Sequence, residues 1–85
     1  MNTALIVEDS LVERTAIALI LNRAGFKVQT IDNGEDVLAT IASCQPDVII
    51  LDVILPGRSG FEICRHLKAN PEMSKIPIIF CSSKA

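Results

Sequence analysis

The sequence predicts an α/β domain built on a doubly wound parallel sheet, and three observations carry that prediction. Short segments rich in β-branched residues recur at 3–7, 26–31, 47–52 and 76–81, and helical segments with start and stop signals lie between them. The third segment, Val48-Ile49-Ile50-Leu51, does not alternate apolar with polar, which suits a strand covered on both faces. Strands alternating with helices through short connections imply right-handed crossovers and a parallel sheet.

Thr3-Ala4-Leu5-Ile6-Val7 is too short for a helix and β-branched at both ends, so it reads as a buried strand that stops at Glu8-Asp9. Ser10-Leu11-Val12-Glu13 is a capping box, with Ser10 as N-cap and Glu13 reaching back to it. The helix it opens runs to about Ala24, and Gly25 supplies a left-handed stop. Residues 26–31 form the second strand, Asp32-Asn33-Gly34 turns the chain, and a second helix spans about 35–43. Pro46 ends that segment. Residues 47–52 are the third strand, and 53–59, with Pro56 and Gly57, are a loop. The third helix covers 60–69, with Phe61, Cys64 and Leu67 on one stripe, and Asn70-Pro71 breaks it. The fourth strand is 76–81, with Pro77 near its first residue, where a missing N–H matters least.

Composition narrows the function classes. The 85 residues make one small domain, and with 49% hydrophobic and 21% charged residues the chain is too apolar to be disordered. A net charge of −2 leaves no basic field for nucleic acid or anionic lipid. No apolar run approaches the roughly 18 residues of a membrane span, and the start lacks a charged signal segment, so a cytoplasmic chain is expected. Cys44, Cys64 and Cys81 show no Cys-x-x-Cys spacing and read as small buried residues of a reducing compartment rather than disulfide or zinc positions. His66, the only histidine, has Arg65 and Lys68 near it and reads as part of a solvated helix face. Ile17, Ala18, Leu19, Ile20 and Leu21 exceed what one helix face buries against a sheet. A further element of the domain or a partner is expected to cover some of them.

Ligands of doubly wound sheets sit outside the carboxyl ends of the strands. Glu8 and Asp9 follow the first strand, Asp52 ends the third and Ser82 follows the fourth. Each residue alone has a bland reading, as a solvated loop, a capping aspartate or a turn serine. Jointly they are a constellation. Three carboxylates meeting at one sheet edge repel one another unless a cation neutralises them. A hard divalent ion such as Mg²⁺ takes one or two carboxylates and shares its other positions with water and phosphate oxygens. The implied chemistry is phosphoryl transfer, in which Asp52 can itself be the acceptor.

Ile6-Val7-Glu8-Asp9-Ser10, the block from Ile49 to Gly60 with Asp52, Pro56 and Gly60, and the run from Ile76 to Ser82 resemble the receiver domain of two-component response regulators. The match covers the whole chain in order and spacing, and the stretch from Phe61 on looks most like the stand-alone receivers of motility and taxis pathways. The resemblance implies a flavodoxin-like sheet of strand order 2-1-3-4-5. By position, Asp52 matches the phosphoacceptor, Asp9 the main metal-binding acid, Glu8 its acidic partner, and the backbone carbonyl of Ile54 a further Mg²⁺ ligand. Ser82 matches the switch hydroxyl that turns towards the phosphoryl group. Pro56 and Gly60 match loop-shaping positions, Gly60 through a backbone conformation closed to a residue with a Cβ. Ile54 and Lys84 stand where the family tunes dephosphorylation, and an apolar Ile54 favours a long-lived acyl phosphate.

A family member of this kind takes its phosphoryl group from a histidine kinase, switches a surface for a downstream protein partner, and is not a metabolic enzyme. The family's lysine that neutralises a phosphoryl oxygen has no counterpart in these residues, since Lys84 lies only two after Ser82. The expectation is therefore a receiver incomplete on its C-terminal side, lacking a fourth helix, a fifth strand and a fifth helix. The alternative is an interaction module that assembles but does not switch, forming a homodimer through the first helix or the strand-four edge. A metal-dependent phosphohydrolase is disfavoured because Ile54 stands where such enzymes carry a second acid.

Overall fold

Burial on both faces makes β1 (Thr3–Val7) the centre of the sheet, where Ala4 to Val7 are fully enclosed. The structure, a computed structural model, describes residues 2–81. After β1 come α1 (Leu11–Arg23), β2 (Lys27–Ile31), α2 (Val37–Cys44), β3 (Val48–Asp52), α3 (Gly60–Ala69) and β4 (Ile78–Cys81). The strand order is β2-β1-β3-β4 with every pair parallel, the order expected from the sequence.

The period-2 alternation of strands divides the apolar residues between the two faces. Leu5, Val7, Ile49 and Leu51 face α2 and α3 and build the main core with Val37, Ile41, Leu55, Ile63 and Leu67. Ala4, Ile6 and Ile50 point the other way, to the face where α1 lies against β1 and β2. The buried stripe of α3 is Ile63 and Leu67 rather than the expected row through Phe61. Phe61 is 58% exposed and instead meets Phe80 of β4 in a tilted ring contact, with centroids 5.0 Å apart and planes at 55°. His66 is exposed, as its charged neighbours suggested.

Element ends differ from expectation where side chains or turns claim the backbone. Asn33 Oδ1 accepts the Asp36 amide at 3.0 Å and its amide group donates to Asp32 and Asp36. That knot holds 33–36 in a turn and delays α2 to Val37. The Phe26 amide still bonds back to Leu21 O at 3.0 Å, beyond the left-handed Gly25 (φ +97°), so β2 starts one residue later. The Asp47 carboxylate accepts the Thr3 amide at 2.7 Å just ahead of β3. The Ile76 amide turns back to Met73 O, and Pro77 contributes only its carbonyl to Ile49 N, so β4 begins at Ile78.

α1 buries no residue completely. Ile17, Ala18 and Leu21 are half-buried, whereas Leu19 and Ile20 are exposed, Ile20 by 66%. The five-residue apolar run is thus only partly absorbed by the sheet. Leu67→Ala is expected to cost about 2–5 kcal/mol in urea unfolding, because it opens a cavity under α3. Leu19→Ala should stay within about 0.5 kcal/mol. Similar losses at both positions would contradict the core assigned here.

Candidate functional site

Register brings the acidic residues together. Ile6 pairs with Ile50, and Ile50 with Ile79, across β1, β3 and β4. Two residues further along each strand direction stand Glu8, Asp52 and Cys81, on the same face as that isoleucine row. Asp52 and Cys81 are themselves register partners. A carboxylate oxygen of Glu8, one of Asp52 and the Cys81 sulfur all lie within 4.8 Å of one another, and both acids are 0% exposed.

Backbone amides orient the two carboxylates. Glu8 Oε2 accepts the Ser10 amide at 2.9 Å, which sets its negative charge at the N-terminus of α1. The expected capping box is therefore only half present: Ser10 Oγ accepts from Glu13 N at 3.3 Å, but the amide of Ser10 goes to Glu8 rather than to Glu13. Asp52 Oδ1 accepts the Ile54 amide at 3.1 Å. Arg14 secures the acidic loop from α1, donating from Nη1 to Glu8 O at 2.9 Å and to Asp9 O at 3.5 Å. Asp9 is half-buried beside this set and is not a member of the tight group.

The loop after β3 is shaped by close approach. Ile54 and Ser59 form an antiparallel bridge, and the Gly60 amide donates to Val53 O at 2.7 Å. A Cβ on Gly60 would run into the carbonyl oxygen of Asp52. Glycine is needed there for space and not for a left-handed backbone, contrary to the sequence reading; the positive φ belongs to Gly57 (φ +80°). Pro56 is exposed at the loop surface. Ser59 caps α3 by accepting from Glu62 N at 3.2 Å, a second Ser-x-x-Glu signal that the sequence carried unread. Ser82 and Lys84 lie outside the described residues.

Sequence reasoning missed Cys81. The signal that could have found it is the shared spacing: Glu8, Asp52 and Cys81 each stand two residues beyond an isoleucine of one register row. The donor set fits a divalent cation, since two fully buried carboxylates converge and a positive ion between them would neutralise their charge. Oxygen donors of this kind suit Mg²⁺, which keeps waters in its remaining positions.

The parallel α/β sheet therefore carries paired acids at the carboxyl ends of β1 and β3, where ligands of doubly wound sheets bind. The chain belongs to the response regulator receiver domain family, whose model matches residues 4–85. It is 40% identical over 84 residues to the transcriptional regulatory protein AfsQ1 of Streptomyces coelicolor, covering 99% of this chain and 36% of that protein. It is 36% identical to protein PilH of Pseudomonas aeruginosa, covering 69% of it. The chain thus spans about a third of AfsQ1 and over two thirds of PilH. Among solved structures it resembles the chemotaxis response regulator CheY4 of Vibrio cholerae (TM-score 0.88, 32% identity, 94% of this chain and 67% of that one). It also resembles TrrA of Thermotoga maritima, solved in complex with Mg²⁺-BeF (TM-score 0.89, 28% identity, 100% and 72%). Among the described residues no helix is long and apolar enough to cross a membrane.

Gly60→Ala is expected to destabilise the protein by about 1–3 kcal/mol, because the new methyl presses on the Asp52 carbonyl. Thermal unfolding checks this, and an unchanged midpoint would show that the loop yields freely.

Proposed function

We propose that this receiver accepts a phosphoryl group on Asp52 from a histidine kinase in the cytoplasm. The observation that carries the reading is the fully buried Asp52 carboxylate at the end of β3, within 4.8 Å of a Glu8 carboxylate oxygen and hydrogen-bonded by the Ile54 amide. An Asp52 oxygen attacks the phosphorus of a phosphohistidine; the P–N bond breaks and its electron pair stays on the imidazole nitrogen. Glu8, Asp9, Asp52 and the Ile54 carbonyl would hold Mg²⁺, and the ion would supply positive charge to offset that growing on the phosphoryl oxygens. Arg14 keeps the Glu8–Asp9 carbonyls in position, and the closed loop around Gly60 keeps Asp52 from swinging away. The new phosphate carries up to two negative charges and draws Ser82 inward, which shifts a two-state equilibrium of the binding surface. The output is contact with a downstream protein.

Acetyl phosphate with Mg²⁺ is expected to yield one base-labile adduct that mass spectrometry maps to Asp52 and that Asp52→Asn abolishes. Asp9→Asn should weaken Mg²⁺ most, in a calorimetric titration. Phosphate found on Ser82 or Ser83, or Mg²⁺ affinity indifferent to Asp9→Asn, would overturn the assignment.

A second reading, self-association, is favoured by the apolar surfaces. β4 is an outer strand of the described sheet, with Ile79 55% exposed and no charge between Ile78 and Cys81. The other outer strand, β2, carries Lys27, Gln29 and Thr30 and is the better defended edge. Light scattering on the 85-residue chain is expected to show dimers at micromolar concentration, through the β4 edge or through Ile17 and Leu21 of α1. A folded monomer would refute this.

A further inference from the structure

We infer that Asn33 is a deamidation site held in check by the fold, and that its conversion loosens the loop that follows Asp52. This holds whether or not Asp52 is the phosphoacceptor. Of Asn2, Asn22, Asn33 and Asn70, only Asn33 precedes a glycine. Deamidation begins when the next backbone nitrogen attacks the side-chain carbonyl carbon, and a following residue without a Cβ leaves that approach open. Asn70 is barred from it, since Pro71 carries no N–H.

In the reaction the Gly34 nitrogen bonds to Asn33 Cγ, the Cγ–Nδ2 bond breaks, and the Gly34 proton departs with Nδ2 as ammonia. Water then opens the cyclic imide. Cleavage of the new bond gives aspartate, whereas cleavage at the backbone carbonyl gives isoaspartate, with one more carbon in the main chain. The folded chain opposes the first step. Asn33 Nδ2, the nitrogen that must leave, donates to Asp32 Oδ1 at 2.8 Å and to Asp36 Oδ2 at 3.2 Å, and Oδ1 accepts the Asp36 amide at 3.0 Å. Hydrogen bonds to charged groups are the stronger kind and keep the side chain turned to these partners. The two carboxylates also oppose the negative charge that builds on the attacking nitrogen and the carbonyl oxygen. Gly34 is itself buried, which keeps hydroxide from its N–H.

The product does not rebuild the knot. An aspartate at 33 has lost the amide donor and sets its carboxylate against two others. Isoaspartate also displaces Gly34, which sits where even a methyl would meet Ile63 Cδ1 at 2.7 Å and Arg58 Cβ at 3.4 Å. Beside it, Glu35 Oε1 lies 3.9 Å from Arg58 Nε. Ile63 belongs to α3 and Arg58 to the loop before it, so movement of the 33–36 turn passes to the segment that follows Asp52.

Incubation at mildly alkaline pH, then trypsin and mass spectrometry of the Val28–Arg58 peptide, tests the site. In urea that peptide is expected to gain the mass difference between an amide and an acid, with isoaspartate detected by enzymatic methyl transfer. Folded protein should convert at least about tenfold more slowly, a modest share of what the hydrogen bonds at Asn33 can supply. Asp32→Ala/Asp36→Ala, with folding checked by circular dichroism, should close most of that gap, and Asp32→Ala alone part of it. No conversion in urea overturns the site. Equal rates folded and unfolded, or a gap that both variants leave intact, overturn the restraint. For the coupling, Asn33→Asp is compared with the unaltered protein by amide hydrogen exchange. Ile54 and Gly60, whose amides bond to Asp52 Oδ1 and Val53 O, should exchange faster in the variant, while the amides of β1 keep their protection. Unchanged exchange at Ile54 and Gly60 overturns the coupling.

Discussion

The parallel pairing of β3 with β1 on one side and β4 on the other is the constraint on which the rest of the molecule depends. It aligns Ile6, Ile50 and Ile79, and by doing so delivers Glu8, Asp52 and Cys81 to one patch at the carboxyl end of the sheet. A shift of a strand by one residue would turn its donor to the opposite face. The apolar pattern prevents that slip, because the same shift would exchange Leu5 and Val7, or Ile49 and Leu51, out of the core with α2 and α3. Packing energy on one face therefore guarantees chemical geometry on the other.

Two buried acids side by side make demands on their surroundings. Charge taken out of water needs hydrogen bonds and opposite charge nearby. Ser10 supplies an amide at the start of α1, Ile54 supplies another from the loop, and the positive end of the α1 dipole faces Glu8. The same contacts anchor the connections, so that β1 passes into α1 and β3 into its loop with little freedom. Arg14 adds a tie between the body of α1 and the acidic loop. Function and local architecture thus share hydrogen bonds. A divalent ion would complete the charge balance in the proposed reaction.

The two faces of the sheet differ in how far they are covered. The face towards α2 and α3 carries the buried aliphatic core, with Phe80 partly exposed at its β4 margin. On the other, α1 reaches β1 and β2 while Leu19, Ile20 and Ile79 remain open to solvent. Apolar surface left in this state is where a further protein surface gains most by docking, which ties the proposed self-association to the same half of the sheet that carries the acidic patch.

The sequence by itself determined the element order, the parallel sheet, the extent of α3 and the position of each acid at a strand end. These follow from local rules: strand length, β-branching, helix caps and breakers act over a few residues. It also marked the α1 apolar run as more than one face could hold. The tertiary structure decided what depends on alignment between distant segments. Glu8 rather than Glu13 takes the Ser10 amide, a choice between two nearby carboxylates that the capping pattern alone leaves open. Gly60 is fixed by the passage of the Asp52 carbonyl, a steric fact between loop and strand that no local dihedral preference reveals. Cys81 joins the site only through the β3–β4 register, since side chains far apart in sequence become neighbours when hydrogen-bonded ladders, and not nearby residues, set their spacing.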